Sequence, residues 1–74
     1  MVTTKEDEMT KRYEALVVGG ECTEIDSRAV ATIEEGRRWA ERTARAMIAR
    51  GRMGARWEVI RIADETVVET GLVA

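Results

Sequence analysis

The strongest structural signal in the chain is a single capped helix in its middle. Thr32-Ile-Glu-Glu35 fits a capping box, in which a threonine hydroxyl and a glutamate carboxylate satisfy backbone N–H groups of the first turn. The helix is predicted to end near Arg50, because glycine, here Gly51, often follows a helix C-terminus. Its inner stripe recurs at close to 3.6 residues and comprises Ile33, Gly36, Ala40, Ala44, Met47 and Ile48. Three of these side chains are small, so the helix can lie close against a sheet.

The segment before the helix has the pattern of a β-hairpin. Tyr13–Val18 is rich in residues typical of strands and is followed by Gly19-Gly20, a strong hairpin turn signal. A second strand is predicted from Cys22 to Asp26 by its alternating polarity. It can extend to Ala31 if the three residues from Asp26 to Arg28 form an irregular interruption.

The segment after the helix has the pattern of a second hairpin. Arg56–Ile62 is rich in β-branched and aromatic residues, Asp64-Glu65 predicts a tight turn, and Thr66–Thr70 predicts a returning strand. The fold class is therefore α+β in the order β-β-α-β-β, with one helix packed on one face of a small, mainly antiparallel sheet. Residues 11–74 are predicted to form this single domain, and residues 1–10 a flexible extension.

Both faces of such a sheet carry apolar residues, although a single helix can cover only one of them. We assign to the helix side Leu16, Val18, Ile60 and Ile62. The open face would then carry Tyr13, Val17, Trp57 and Val59. An apolar patch of this make-up is typical of an interface with a second copy or with a partner protein. The alternative is that the N-terminal segment or Leu72-Val73 folds over the patch.

Composition limits the chemistry that the chain can perform. It contains no histidine, and Cys22 is its only cysteine, so an intramolecular disulfide, a Cys/His zinc site and a histidine-activated nucleophile are excluded. Glu24 and Asp26 alternate on one strand, but two such carboxylates are usually solvated. We expect no enzyme activity, no metal and no cofactor. A domain this small then depends on self-association or a partner for added stability.

Arginines concentrate in the second half of the chain. Residues 36–61 carry eight arginines against Glu41 and Glu58, a local charge of +6, whereas the whole chain has a net charge of −2. This asymmetry supports an alternative function, nucleic-acid binding, with Trp39 as a stacking surface. The predicted contacts are Arg38, Arg42, Arg45, Arg50, Arg52 and Arg56.

The same arginines also have an ordinary structural interpretation. Glu34–Arg38 and Glu41–Arg45 are spaced to pair along one helix face, which would neutralise much of the helix charge. A net negative chain is also unlike most dedicated nucleic-acid binders. Our first hypothesis is therefore a small non-catalytic protein that binds itself or another protein, and nucleic-acid binding is the alternative.

Two further observations concern the cellular setting. No stretch approaches the roughly 18 apolar residues of a membrane span, and a lone cysteine favours a reducing compartment, most simply the cytoplasm. Thr32–Ala40 followed by Trp57–Asp64 resembles short bacterial and phage proteins that share a hairpin, a helix beginning T-x-E-E-x-x-x-W-A and a final hairpin. Frequent alanine, valine and arginine favour the same origin, a high-GC bacterium or its phage.

Overall fold

The computed structural model describes residues 11–20, 24–51 and 53–73. These residues form a four-stranded sheet and one helix in the predicted β-β-α-β-β order. The elements are β1 (Tyr13–Gly19), β2 (Glu24–Val30), α1 (Ile33–Ala49), β3 (Ala55–Arg61) and β4 (Thr66–Val73). The strands lie side by side in the order β2-β1-β3-β4, and every neighbouring pair is antiparallel. The α+β fold class is confirmed.

Both ends of α1 form as the sequence predicts. The Glu35 N–H donates to the Thr32 hydroxyl at 3.1 Å, and the Glu35 carboxylate accepts the N–H of Ala31 at 3.2 Å. At the other end, Arg50 is the C-cap residue and Gly51 adopts a φ of 103°, a left-handed conformation that glycine takes without steric cost. Local capping chemistry thus fixes the length of the helix.

The first hairpin forms, but β2 differs from its prediction. Its residues pair with β1 without a break from Glu24 to Val30, so the interruption predicted from Asp26 to Arg28 does not occur. Backbone hydrogen bonding to a neighbouring strand keeps this polar stretch extended. The predicted start of this strand at Cys22, the predicted extension at residues 1–10 and Arg52 lie outside the described residues.

The second hairpin closes through a turn at residues 62–65, which includes the predicted Asp64-Glu65 pair. Glu65 has a φ of 59°, the left-handed conformation that a tight turn demands. β4 continues three residues beyond its predicted end at Thr70. Its pairing with β3 shifts between Val59 and Ile60, where a bulge places Val67, rather than Val68, opposite Ile60.

The helix covers the sheet face that we predicted to be open, so that face assignment is wrong. Val17 and Val59 are 0% exposed and Trp57 is 4% exposed, and Tyr13 packs against the same cluster. The physical reason is charge. Glu14, Arg56 and Glu58 occupy the other face of β1 and β3. Burying unpaired charges under a helix is costly, whereas burying an apolar face is favourable.

Small residues set how closely the layers pack. Gly36 of α1 lies over the sheet, where an added Cβ would come within 3.1 Å of Val30 and 3.3 Å of Val59. On β4, the Trp57 indole lies against Gly71, and an added Cβ there would be 2.6 Å from the ring. Trp57 therefore fills the space beneath the helix because its neighbour across the strand has no side chain.

Candidate functional site

The sheet face that α1 does not cover is the first candidate site. Side chains alternate along a strand, so the residues next to the buried ones in sequence point to the opposite side of the sheet. We call this surface the open face; its apolar members are Leu16, Val18, Ile25, Ile60, Val67 and Leu72. Its charged members are Glu14, Arg56 and Glu58. Six of these nine residues belong to the two central strands. Three of those six, Leu16, Val18 and Ile60, had been assigned to the helix side from the sequence.

The apolar side chains of the open face are substantially accessible. Leu72 is 81% exposed, Ile25 is 63% exposed and Val67 is 47% exposed, while the apolar residues of the central strands are half-buried. The register places Ile25 beside Val18 on one half of the sheet and Ile60 beside Val67 on the other. The face therefore presents two aliphatic patches rather than one continuous surface.

Charges of both signs lie between these patches. Arg56 and Glu58 point to the same side of β3, and Glu14 lies opposite Ile60 on the neighbouring strand. Within residues 11–20, 24–51 and 53–73, no salt bridge joins any of these three side chains to another residue. The open face therefore retains unpaired positive and negative groups next to apolar ones.

The structure does not bring the predicted nucleic-acid contacts onto one surface. Arg38, Arg42 and Arg45 are exposed on α1, whereas Arg56 lies on the open face, across the sheet. Arg50 forms an ion pair with Glu24 of β2. Arg52 lies outside the described residues.

Ion pairing along the helix is less extensive than the spacing predicts. The Arg38 guanidinium lies 3.7 Å from the Glu34 carboxylate, and both side chains are mostly exposed. The second predicted pair, Glu41–Arg45, is not among the salt bridges of the described residues. The outer helix arginines therefore keep more uncompensated charge than expected.

A second candidate site lies between α1 and the edge strand β2. It is a cavity of about 220 Å³, lined by Arg28, Val30, Glu35, Arg38, Trp39 and Arg42. Sequence reasoning named two of these arginines and Trp39 but missed Arg28. The register that brings Arg28 to the helix side could be found only once the buried face of β1 was known, because Arg28 pairs with the buried Ala15.

The two carboxylates of β2, Glu24 and Asp26, each have a partner within the protein. Glu24 pairs with Arg50, and the Asp26 carboxylate accepts the N–H of Ser27 at 2.9 Å. In the part of the chain that the structure describes, no cluster of three or more acidic, cysteine or histidine residues is placed to hold a metal ion. Likewise, none of its helices is both long and apolar enough to cross a membrane.

No protein-family model matches the chain, and neither curated proteins nor solved structures yield a match. Function must therefore be argued from the two surfaces of this molecule. The open face offers apolar area with mixed charge, and the cavity offers a concentration of arginine beside an indole.

Proposed function

We propose that this protein is a small, non-catalytic cytoplasmic interaction module that forms a homodimer through the open face of its sheet. The observation that carries the proposal is one-sided coverage: α1 buries the middle of one face, including Ala15, Val17, Trp57 and Val59, while six aliphatic side chains remain accessible on the other. Exposed apolar patches rimmed by charged residues on a small domain are typical of an interaction site. The cytoplasmic location is supported by the single cysteine, which suits a reducing compartment.

The thinness of the core favours a second copy as the occupant. Of the described residues, nine apolar ones are buried, and four of those nine are alanine. Small domains compensate for such a core with disulfides, metals or self-association. A chain with one cysteine and no histidine has neither of the first two in their usual form. Pairing two open faces would add apolar burial that one copy lacks.

The charges of the open face are also compatible with self-association. A twofold interface brings the same surface from each copy together, so both signs of charge are present on both sides. Arg56 of one protomer can then approach Glu14 or Glu58 of its partner. A partner protein of one dominant charge would instead leave either the arginine or the glutamates unpaired on desolvation.

Sedimentation equilibrium of the full chain tests this proposal. We expect a dimer at micromolar concentration, and we expect Ile25→Lys and Leu72→Lys each to raise the dimer dissociation constant by at least about tenfold, since each removes an aliphatic contact and adds a charge. Both side chains are well exposed in one copy, so helix content measured by circular dichroism should be unchanged.

Met53→Lys provides the matched control. Met53 is 87% exposed but lies in the α1–β3 loop, outside the open face, so its replacement should leave the dimer intact. A parent protein that stays monomeric at about 100 μM would rule out the homodimer. Equal weakening by Met53→Lys and Ile25→Lys would show that association depends on general hydrophobicity rather than on this face.

A further inference from the structure

The cavity between β2 and α1 is lined by three arginines from two elements. Arg28 comes from the helix side of β2, and Arg38 and Arg42 come from successive turns of α1. Like charges that line one cavity repel unless an anion or an acidic side chain offsets them. A negatively charged group is therefore needed to offset the repulsion between these arginines.

Acidic side chains of the protein do so only in part. Glu35 lines the cavity, but its carboxylate already accepts the N–H of Ala31 as part of the helix cap. Arg38 has one distant partner, Glu34, and such an exposed pair is readily exchanged for another anion. Across the described ranges, neither Arg28 nor Arg42 forms a salt bridge.

Trp39 supplies a fixed planar wall to the same cavity. Its indole is half-buried and packs against the core cluster, so packing restricts the orientation of the ring. An aromatic face next to cationic groups can stack a heterocyclic ring, and every nucleobase has such a face. At about 220 Å³ the cavity is smaller than the roughly 300–1,000 Å³ of drug-sized pockets. A cavity of this size suits one small ligand or one unit of a longer polymer.

We propose that this cavity binds one nucleotide unit, with its phosphate held by Arg28 and Arg42 and its base stacked on Trp39. Guanidinium groups bind phosphate through paired, charge-assisted hydrogen bonds, and three of them match a dianionic phosphate better than a single carboxylate. The indole adds a preference for a planar ring that a simple anion site would lack. The ligand can be a free nucleotide or one unit of a single-stranded nucleic acid, because both present the same phosphate and base.

Titration of ¹⁵N-labelled full-length protein with adenosine monophosphate and with inorganic phosphate tests the site. We expect both probes to shift the amide signals of Arg28, Arg38 and Arg42, and the nucleotide also to shift the Trp39 indole N–H. Replacing Arg28 or Arg42 by glutamine should weaken nucleotide binding about tenfold, the usual effect of losing one charge-assisted contact. Trp39→Phe, which keeps a smaller ring in the core, should weaken the nucleotide more than inorganic phosphate.

Arg45→Gln is the matched control, because Arg45 is an exposed arginine of the same helix that does not line the cavity. It should leave nucleotide affinity within about twofold of the parent value. A tenfold loss in Arg45→Gln would overturn the site by showing that general positive charge explains binding. So would the absence of any shift at millimolar nucleotide, or tighter binding of an oligoglutamate peptide than of the nucleotide.

A ten-residue oligodeoxyadenylate distinguishes the two sources of the ligand. If the oligomer binds more than about tenfold tighter than the mononucleotide, loses affinity in Arg28→Gln and weakens steeply with salt, the site binds a strand. Comparable affinities for the two probes would assign the site to free nucleotides. The cavity lies on the helix side of the sheet, so these variants should leave the open-face dimer unchanged, and failure of either proposal leaves the other standing.

Discussion

The two faces of this sheet are made from adjacent residues of the same strands, yet they have opposite properties. On the covered face, Ala55, Trp57 and Val59 are at most 5% exposed. On the open face, Arg56 and Glu58 alternate with them along the same seven-residue strand. One acidic residue near the covered edge, Glu69, pairs with Arg37 of the helix at 3.4 Å. At the edge strand β2 the helix side also carries Asp26 and Arg28, which are exposed, whereas the buried part of this face is apolar.

This difference shows that charge, more than apolar content, decides which face a helix covers. Both faces carry aliphatic side chains of similar size, such as Val17 and Val18 on β1. Three unpaired charges on the two central strands of the open face would each lose their hydration under a helix, whereas the buried residues of the covered face are all apolar. The open face is therefore left with apolar residues that the fold of one chain does not bury.

The largest expected effect on stability comes from truncating a buried residue of the covered face. Trp57→Ala should lower the free energy of unfolding by about 3–5 kcal/mol, because it empties the centre of the core. A domain of 74 residues has roughly 4–11 kcal/mol in total, taking about 0.05–0.15 kcal/mol per residue. The variant should therefore be close to unfolded in chemical denaturation followed by circular dichroism.

Ile60→Ala, three residues further along the same strand, is the comparison. Ile60 is half-buried on the open face, so its truncation should cost about 1 kcal/mol or less at concentrations where the protein is monomeric. A larger loss that grows with protein concentration would indicate burial in the dimer. If Trp57→Ala and Ile60→Ala cost the same in dilute protein, the assignment of the two faces is incorrect.

Much of the fold could be predicted because its signals are local. The capping residues of α1, the turn at Asp64-Glu65 and the strand patterns each depend on a few consecutive residues. The face that α1 covers could not be predicted from the alternation of apolar residues alone, since apolar side chains occur on both sides of a strand. Leu16 and Val17 are an example. Glu14, Arg56 and Glu58 lie on the same side of the sheet, and their charges were the signal that would have identified the face that the helix leaves open.

The candidate sites depended on which face of the sheet the helix covers, and so they were predicted less well than the fold. The interface predicted around Trp57 lies in the core, and the arginine set was divided between the two sides of the sheet. Arg28 was missed because nothing near it in sequence indicates the helix at its side. Its place on the helix side follows from the pairing of β2 with β1, in which Arg28 lies opposite the buried Ala15.

A smaller effect is expected from filling the space beside Trp57. Gly71→Ala places a Cβ 2.6 Å from the indole, so the ring or β4 must move, at a cost of about 1–3 kcal/mol in the free energy of unfolding. Gly54→Ala is the control, since the nearest atom to its added Cβ is the Val73 carbonyl oxygen at 3.4 Å. Urea denaturation of both variants measures the difference. Equal stability of the two would mean that Trp57 is not held against β4.

The smallest expected effect concerns the turn that sets the register of β4, and with it the position of Val67 on the open face. The pKa of Asp64 is lowered, first by hydrogen bonding from the Thr66 side chain, then by the Thr66 backbone N–H and by Arg61. Its carboxylate accepts the Thr66 N–H at 3.2 Å and the Arg61 guanidinium at 3.1 Å. An ionised Asp64 therefore holds the turn closed.

Because the folded pKa lies below that of an unfolded aspartate, about 3.9, this contribution is complete above that value and is lost as pH falls through the folded pKa. Asp64→Asn should therefore be slightly less stable than the parent protein at neutral pH, and the two should converge in acid. Thr66→Val should raise the Asp64 pKa, measured by carboxyl ¹³C titration, more than Arg61→Gln does. The reverse order would mean that the ion pair, rather than the turn's own hydrogen bonds, fixes β4 against β3.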